Sequence, residues 1–224
     1  MDPHEIEAAL GRAEAATAGG GGVGGTGFWK AVGAVKRDPT LVEEHAGRIG
    51  RIDRRAFENW AMIKIGAAVG TTLAVLGTVA GLMLVLAAYY TDDPWNGVLL
   101  VAGTGVTIVT THGLTHLAVG RLFGMRFTHW FVAGFRAPQP GVKVDYASYL
   151  RVPARRRAWM HVSAPIVTKV IPFLALGPAL VIPVAWWATA TLVVIGLVQI
   201  ATDLAFSTKT SDWKKYRREM SYAD

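Results

Sequence analysis

The sequence predicts an all-α integral membrane protein of about four transmembrane helices, with a small cytoplasmic-side β-hairpin between the second and third spans. Three observations predict it. The chain of 224 residues is 52% hydrophobic and only 17% charged, and its apolar residues gather in long uninterrupted runs, which is a membrane composition. The Lys and Arg outside those runs fall before the first, between the second and third, or after the fourth, while the two remaining connections carry none. Between the second and third runs, aromatic and β-branched residues flank Pro138-Gln139-Pro140-Gly141, the pattern of a hairpin at a membrane surface.

Residues 1–27 read as a flexible N-terminal segment, in which 1–17, rich in Ala and Glu, allow a short helix and the glycine run at 19–27 is a linker. The first seven residues lack the basic start and early apolar stretch of a signal peptide, so the N-terminus is expected in the cytoplasm. Residues 28–60 are a cytoplasmic or interfacial helical segment, with Asp38-Pro39 as a helix start and Leu41, Val42, Ile49, Ile52 and Phe57 as a partial apolar stripe.

A four-span membrane domain follows over 61–206. Residues 65–90 contain no charge, and at about 1.5 Å per residue they exceed the roughly 30 Å hydrocarbon core. Residues 95–120 form the second span, whose ionisable groups are His112 and His116; the turn-rich Thr91-Asp92-Asp93-Pro94 joins the two. Residues 159–177 and 183–206 are the third and fourth spans. In the central segment, 126–135 and 142–150 are the expected hairpin strands, and Arg151, Arg155, Arg156 and Arg157 mark the edge of span three. Residues 207–224 are a basic amphipathic tail anchored by Trp213 and Tyr216. The positive-inside rule then places both termini and the central segment in the cytoplasm.

The formal charge of +7 does not argue for nucleic acid, because the basic residues adjoin apolar runs, where anionic headgroups and topology account for them. With no cysteine there is no disulfide, thiolate nucleophile or iron–sulfur cluster, and a metal site must be built from His, Asp and Glu.

His112 and His116 are four apart on one helix, so both imidazoles project from one face, as two ligands of one metal require. Ionisable side chains within a span are costly and mark sites or partners. His161, at the start of span three, and Asp203, near the end of span four, fall in the same layer of about 10 Å if the helices pack together. Two or three His with one Asp suit zinc. Two further readings stay open: Asp203 pairs with Lys169 or caps the tail junction, and His161 bonds a main-chain carbonyl. His129 reads as an interfacial side chain, and His4 and His45 as solvent residues.

The stretch His112-Gly-Leu-Thr-His116 leading into Arg121-Leu-Phe-Gly124 resembles the site-2 protease family of intramembrane zinc metalloproteases, in which a His-Glu-x-x-His helix runs into an Arg-x-x-Gly segment. The likeness continues through a hairpin to Ser163-Ala164-Pro165-Ile-Val-Thr168, similar to the family's Gly-Pro-x-x-Asn, and covers about 97–206. It implies a zinc held by His112, His116 and Asp203; His161 is a further candidate from its depth alone. The family's general base is the Glu after the first His, and here that position is Gly113, which accepts no proton; losing an acid–base group removes about two to four orders of magnitude of rate. The expectation is therefore a non-proteolytic binding or regulatory protein that holds a transmembrane helix of a partner. The alternatives are an active protease with Asp145 as substitute base, and a structural or haem-carrying subunit using His112 and His161 as axial ligands.

Overall fold

The computed structural model describes residues 1–132, 140–205 and 211–223, which are mostly helical. In chain order the elements are α1 (Pro3–Ala18), α2 (Phe28–Val35), α3 (Pro39–Trp60), β1 (Ile63–Gly66), α4 (Ala67–Ala87, extended by a 3-10 turn over Ala88–Tyr90), α5 (Trp95–Leu122), β2 (Phe127–Val132), β3 (Pro140–Val144), α6 (Tyr146–Arg151), α7 (Ala154–Leu174), α8 (Leu176–Ala179), α9 (Trp186–Ala205) and α10 (Asp212–Met220). They fall into two compact units.

The first unit comprises Met1–Ala67, Gly120–Arg157 and the C-terminal residues from Glu219. Two of its helices, α1 and α3, start where the sequence offers side-chain caps. Asp2 and Glu5 form a reciprocal capping box on α1, and Asp38 accepts from the Thr40 amide at 2.8 Å with Pro39 in the first turn of α3. Residues 1–18 are packed where looseness was expected: Ile6, Ala9, Leu10 and Ala13 are fully buried and α1 lies along α3. Their i, i+3, i+4, i+7 spacing is an apolar face in which Ala9 and Ala13 alternate with Ile6 and Leu10, and the small alanines let the helices approach closely. Arg48 then reaches Glu7 at 2.6 Å and Glu14 at 2.8 Å, and Asn59 donates to the Thr17 and Gly21 carbonyls at 3.0 and 2.9 Å. His45, expected in solvent, is buried beside Glu7 and Glu44.

The sheet of this unit is antiparallel in the order β1-β2-β3. Ile63 pairs with Val132 and Gly66 with His129, while Phe127 pairs with Val144 and Val132 with Pro140. Two expectations are corrected here. The second strand ends at Val144 instead of 150, because Asp145 accepts from the Ser148 amide at 3.1 Å and starts α6, a cap that outweighs the β propensity of the tyrosines. A third strand, β1, precedes the first apolar helix. Of the expected turn, Pro140 and Gly141 are instead paired residues of β3, and 138–139 lie outside the described residues.

The second unit comprises Ala68–Val119 and Ala158–Arg218. Four helices, Ala67–Tyr90, Trp95–Leu122, Ala154–Ala179 and Trp186–Asp203, are long and apolar enough to cross a membrane. Small residues set their contacts. A Cβ on Gly81 of α4 would lie 2.5 Å from Thr107 Oγ1 and 2.9 Å from the Gly103 carbonyl of α5, and Thr78 and Thr110 share a hydroxyl hydrogen bond at 2.8 Å. Gly97 of α5 meets Trp187 and Ala188 of α9, and Gly196 of α9 meets the Phe173 ring of α7. Leu100, Leu192, Ala88 and Ala175 form the buried centre. Val69, Leu73, Leu76, Leu82 and Met83 of α4 are each more than half exposed, an apolar surface far larger than water-facing helices carry.

Candidate metal centre

Within the second unit, α5 presents two imidazoles on one face, as the four-residue spacing requires. The rings of His112 and His116 have centroids 4.9 Å apart and stand nearly perpendicular. Between them sits Asp212, the first residue of α10, whose Oδ2 is 3.4 Å from Nε2 of His112 and 3.3 Å from Nε2 of His116. One ligand atom from each residue lies within 4.8 Å of the other two.

The chemistry of the contacts decides what such a group holds. Nδ1 of His116 lies 2.8 Å from the main-chain carbonyl of Met160, which also accepts from Ser163 Oγ at 3.0 Å. A carbonyl only accepts, so Nδ1 carries the proton, and in the neutral ring Nε2 turns a lone pair towards Asp212. A lone pair facing a carboxylate is repulsive unless a second proton or a metal cation lies between them. Metal–ligand bonds of about 2.0–2.2 Å in a tetrahedron separate neighbouring donors by about 3.3–3.6 Å, a range that includes the spacing from Asp212 to each histidine. Two imidazoles and one carboxylate suit zinc, and three protein donors leave a fourth position open.

The surrounding shell fits the same reading. Pro165, inside α7, supplies no amide to the His161 carbonyl four residues back, next to the Met160 carbonyl that orients His116. The second oxygen of Asp212 accepts from Lys215 Nζ at 2.9 Å. Burial pushes the Asp212 carboxyl up, but its contacts with His112 and His116 and the Lys215 charge outweigh that and hold it well below the usual range. The His116 side chain is 10% exposed and that of His112 39%, so the centre opens on the His112 side.

Of the residues expected from sequence, His112 and His116 meet; the other two lie outside the group. Asp203 is engaged by Lys169 Nζ and by Trp213 Nε1, the latter at 2.9 Å. The His161 ring centroid is 6.5 Å from that of His116. Asp145 belongs to the first unit, where it caps α6 and meets Arg54 at 3.3 Å. His129 packs against Phe57 in that unit. Asp212 was overlooked because its stretch reads as a headgroup anchor. The available signal was a lone acid among Lys209, Lys214, Lys215, Arg217 and Arg218, a few residues beyond the last span.

No protein-family model, curated protein or solved structure matches this chain.

Proposed function

We propose that this chain is a site-2-protease-like polytopic membrane protein that binds one zinc ion through His112, His116 and Asp212, and that it holds a transmembrane segment of a partner without cutting it. The observation that carries the reading is the convergence of two imidazole nitrogens and one carboxylate oxygen, the oxygen 3.3–3.4 Å from each nitrogen and all three atoms within 4.8 Å of one another. When bound, such an ion supplies Lewis-acid polarisation of an oxygen at its open position.

The chain's own residues supply the rest. Met160 and Ser163 orient His116, Lys215 orients Asp212, and the exposed edge of His112 leaves room for a ligand. The glutamate that would take a proton in proteolysis is replaced by Gly113, and Asp145 is spent on capping and on Arg54. These features favour binding over hydrolysis. The apolar faces of the four long helices favour insertion in a bilayer, and the distribution of Lys and Arg favours cytoplasmic termini.

Metal content by mass spectrometry on detergent-purified protein tests the centre. About one zinc per chain is expected, lost in His112→Ala and bound more weakly in Asp212→Asn; a metal-free unmodified protein, or full occupancy in His112→Ala, overturns it. Appearance of peptide fragments from membrane-embedded helices incubated with the zinc-loaded protein would overturn the non-proteolytic half.

A further inference from the structure

α10 is nine residues long, and an isolated helix of that length does not hold itself in water, yet its first residue must sit within hydrogen-bonding range of two histidines. The contacts that fix its first turn come from the neighbouring residue. Trp213 Nε1 donates to Asp203 Oδ2 at 2.9 Å, and the same oxygen receives Lys169 Nζ. That ammonium also lies 6.0 Å from the centre of the Trp213 ring. One turn on, Tyr216 packs edge-on against Trp159 at 6.1 Å. The residue beside the ligand is thus tied to α9 through Asp203 and to α7 through Lys169.

We infer that Asp203, with Lys169 and Trp213, is a positioning residue for the metal centre: it anchors the first turn of α10 so that Asp212 is delivered to His112 and His116. This rests on the zinc-binding reading above. Even a partly buried ion pair is weak evidence for stability, since a well-packed apolar pair often serves as well. An apolar pair, however, offers no acceptor for the indole N–H. The carboxylate at 203 therefore has a use that packing alone does not explain, and the tail helix, rather than the last span, carries the third ligand.

Chelator competition for zinc in the full-length detergent-solubilised protein tests this, alongside the visible spectrum of the cobalt-loaded form. Removing an outer-shell partner lowers metal affinity about 10–100-fold, and that loss is expected for Trp213→Phe and Asp203→Asn, with cobalt bands shifted towards those of Asp212→Asn. Because Asp203 acts through Asp212, the double variant Asp203→Asn/Asp212→Asn should bind no more weakly than Asp212→Asn alone. The pair Lys169→Met/Asp203→Leu keeps the helices packed without the acceptor, and it should retain thermal stability while showing the weakened affinity. Wild-type affinity in Trp213→Phe and in the apolar pair overturns the anchor and leaves the zinc centre standing. A further loss in the double variant also overturns it, by making Asp203 a ligand. Absence of zinc from the unmodified protein overturns the centre itself and the anchor with it.

Discussion

His116 donates from Nδ1 to the Met160 carbonyl at 2.8 Å, so a main-chain atom of α7 decides which nitrogen of an α5 histidine faces Asp212. His112 has a far more exposed side chain. The two histidines should therefore separate in stability though not in metal binding. After chelation, His116→Ala is expected to cost about 1–3 kcal/mol, for the lost hydrogen bond and buried ring, and His112→Ala within about 0.5 kcal/mol. Thermal unfolding of the stripped proteins measures both, and equal losses would argue against the Met160 contact.

Glu219 is fully buried between Lys36 and Arg157, with Nε of Arg157 at 2.7 Å. Burial pushes its carboxyl up, but the charges and hydrogen bonds of Lys36 and Arg157 outweigh that and hold it below the ordinary value of 4.5. A carboxyl depressed on folding contributes stability that is complete above its unfolded value and is lost as pH falls through the folded one. Stability should thus decline below about pH 4.5, and Glu219→Gln should flatten that acid limb. Glu219→Ala leaves two cations buried without an anion and should cost about 3–5 kcal/mol. Unfolding midpoints between pH 3 and pH 7, roughly the carboxylate range, decide the matter.

The four apolar helices were legible because nothing interrupts their runs, and the histidine pair because i and i+4 share a helix face whatever surrounds them. The third member of the group was not. Asp203 and Asp212 are chemically equivalent, and choosing between them requires knowing that Lys169 and Trp213 take the first, a matter of three-dimensional neighbours. β1 was hidden because Ile63-Lys64-Ile65-Gly66 runs directly into an apolar helix, so four residues of alternation are lost in a longer pattern. The α1 face was missed because alanines contribute little hydrophobic contrast, although their smallness is what lets α1 pack on α3.

The absence of cysteine makes the proposed orientation directly testable, since any thiol introduced is the sole one. Gly22 and Arg155 are exposed, Gly22 with open space around it, and Asp93 is exposed in the connection between α4 and α5. With cytoplasmic termini, Asp93→Cys should react with a membrane-impermeant maleimide in intact cells, and Gly22→Cys and Arg155→Cys only after permeabilisation. The reverse pattern would invert the topology, and a mixture on one side would change the number of spans.

Two glycines report on how the apolar helices pack. A methyl on Gly81 would lie 2.5 Å from Thr107 Oγ1 and 2.9 Å from the Gly103 carbonyl, whereas one on Gly105 meets nothing within 4 Å. Gly81→Ala must push α4 from α5 and is expected to cost about 1–3 kcal/mol, as overpacking does. Gly105→Ala removes chain freedom without a clash and should be neutral or stabilising by up to about 1 kcal/mol. Denaturant titration in detergent compares them. A tolerated Gly81→Ala would mean that α4 does not rest on α5 through its glycines, since this close approach leaves no room for even a methyl group.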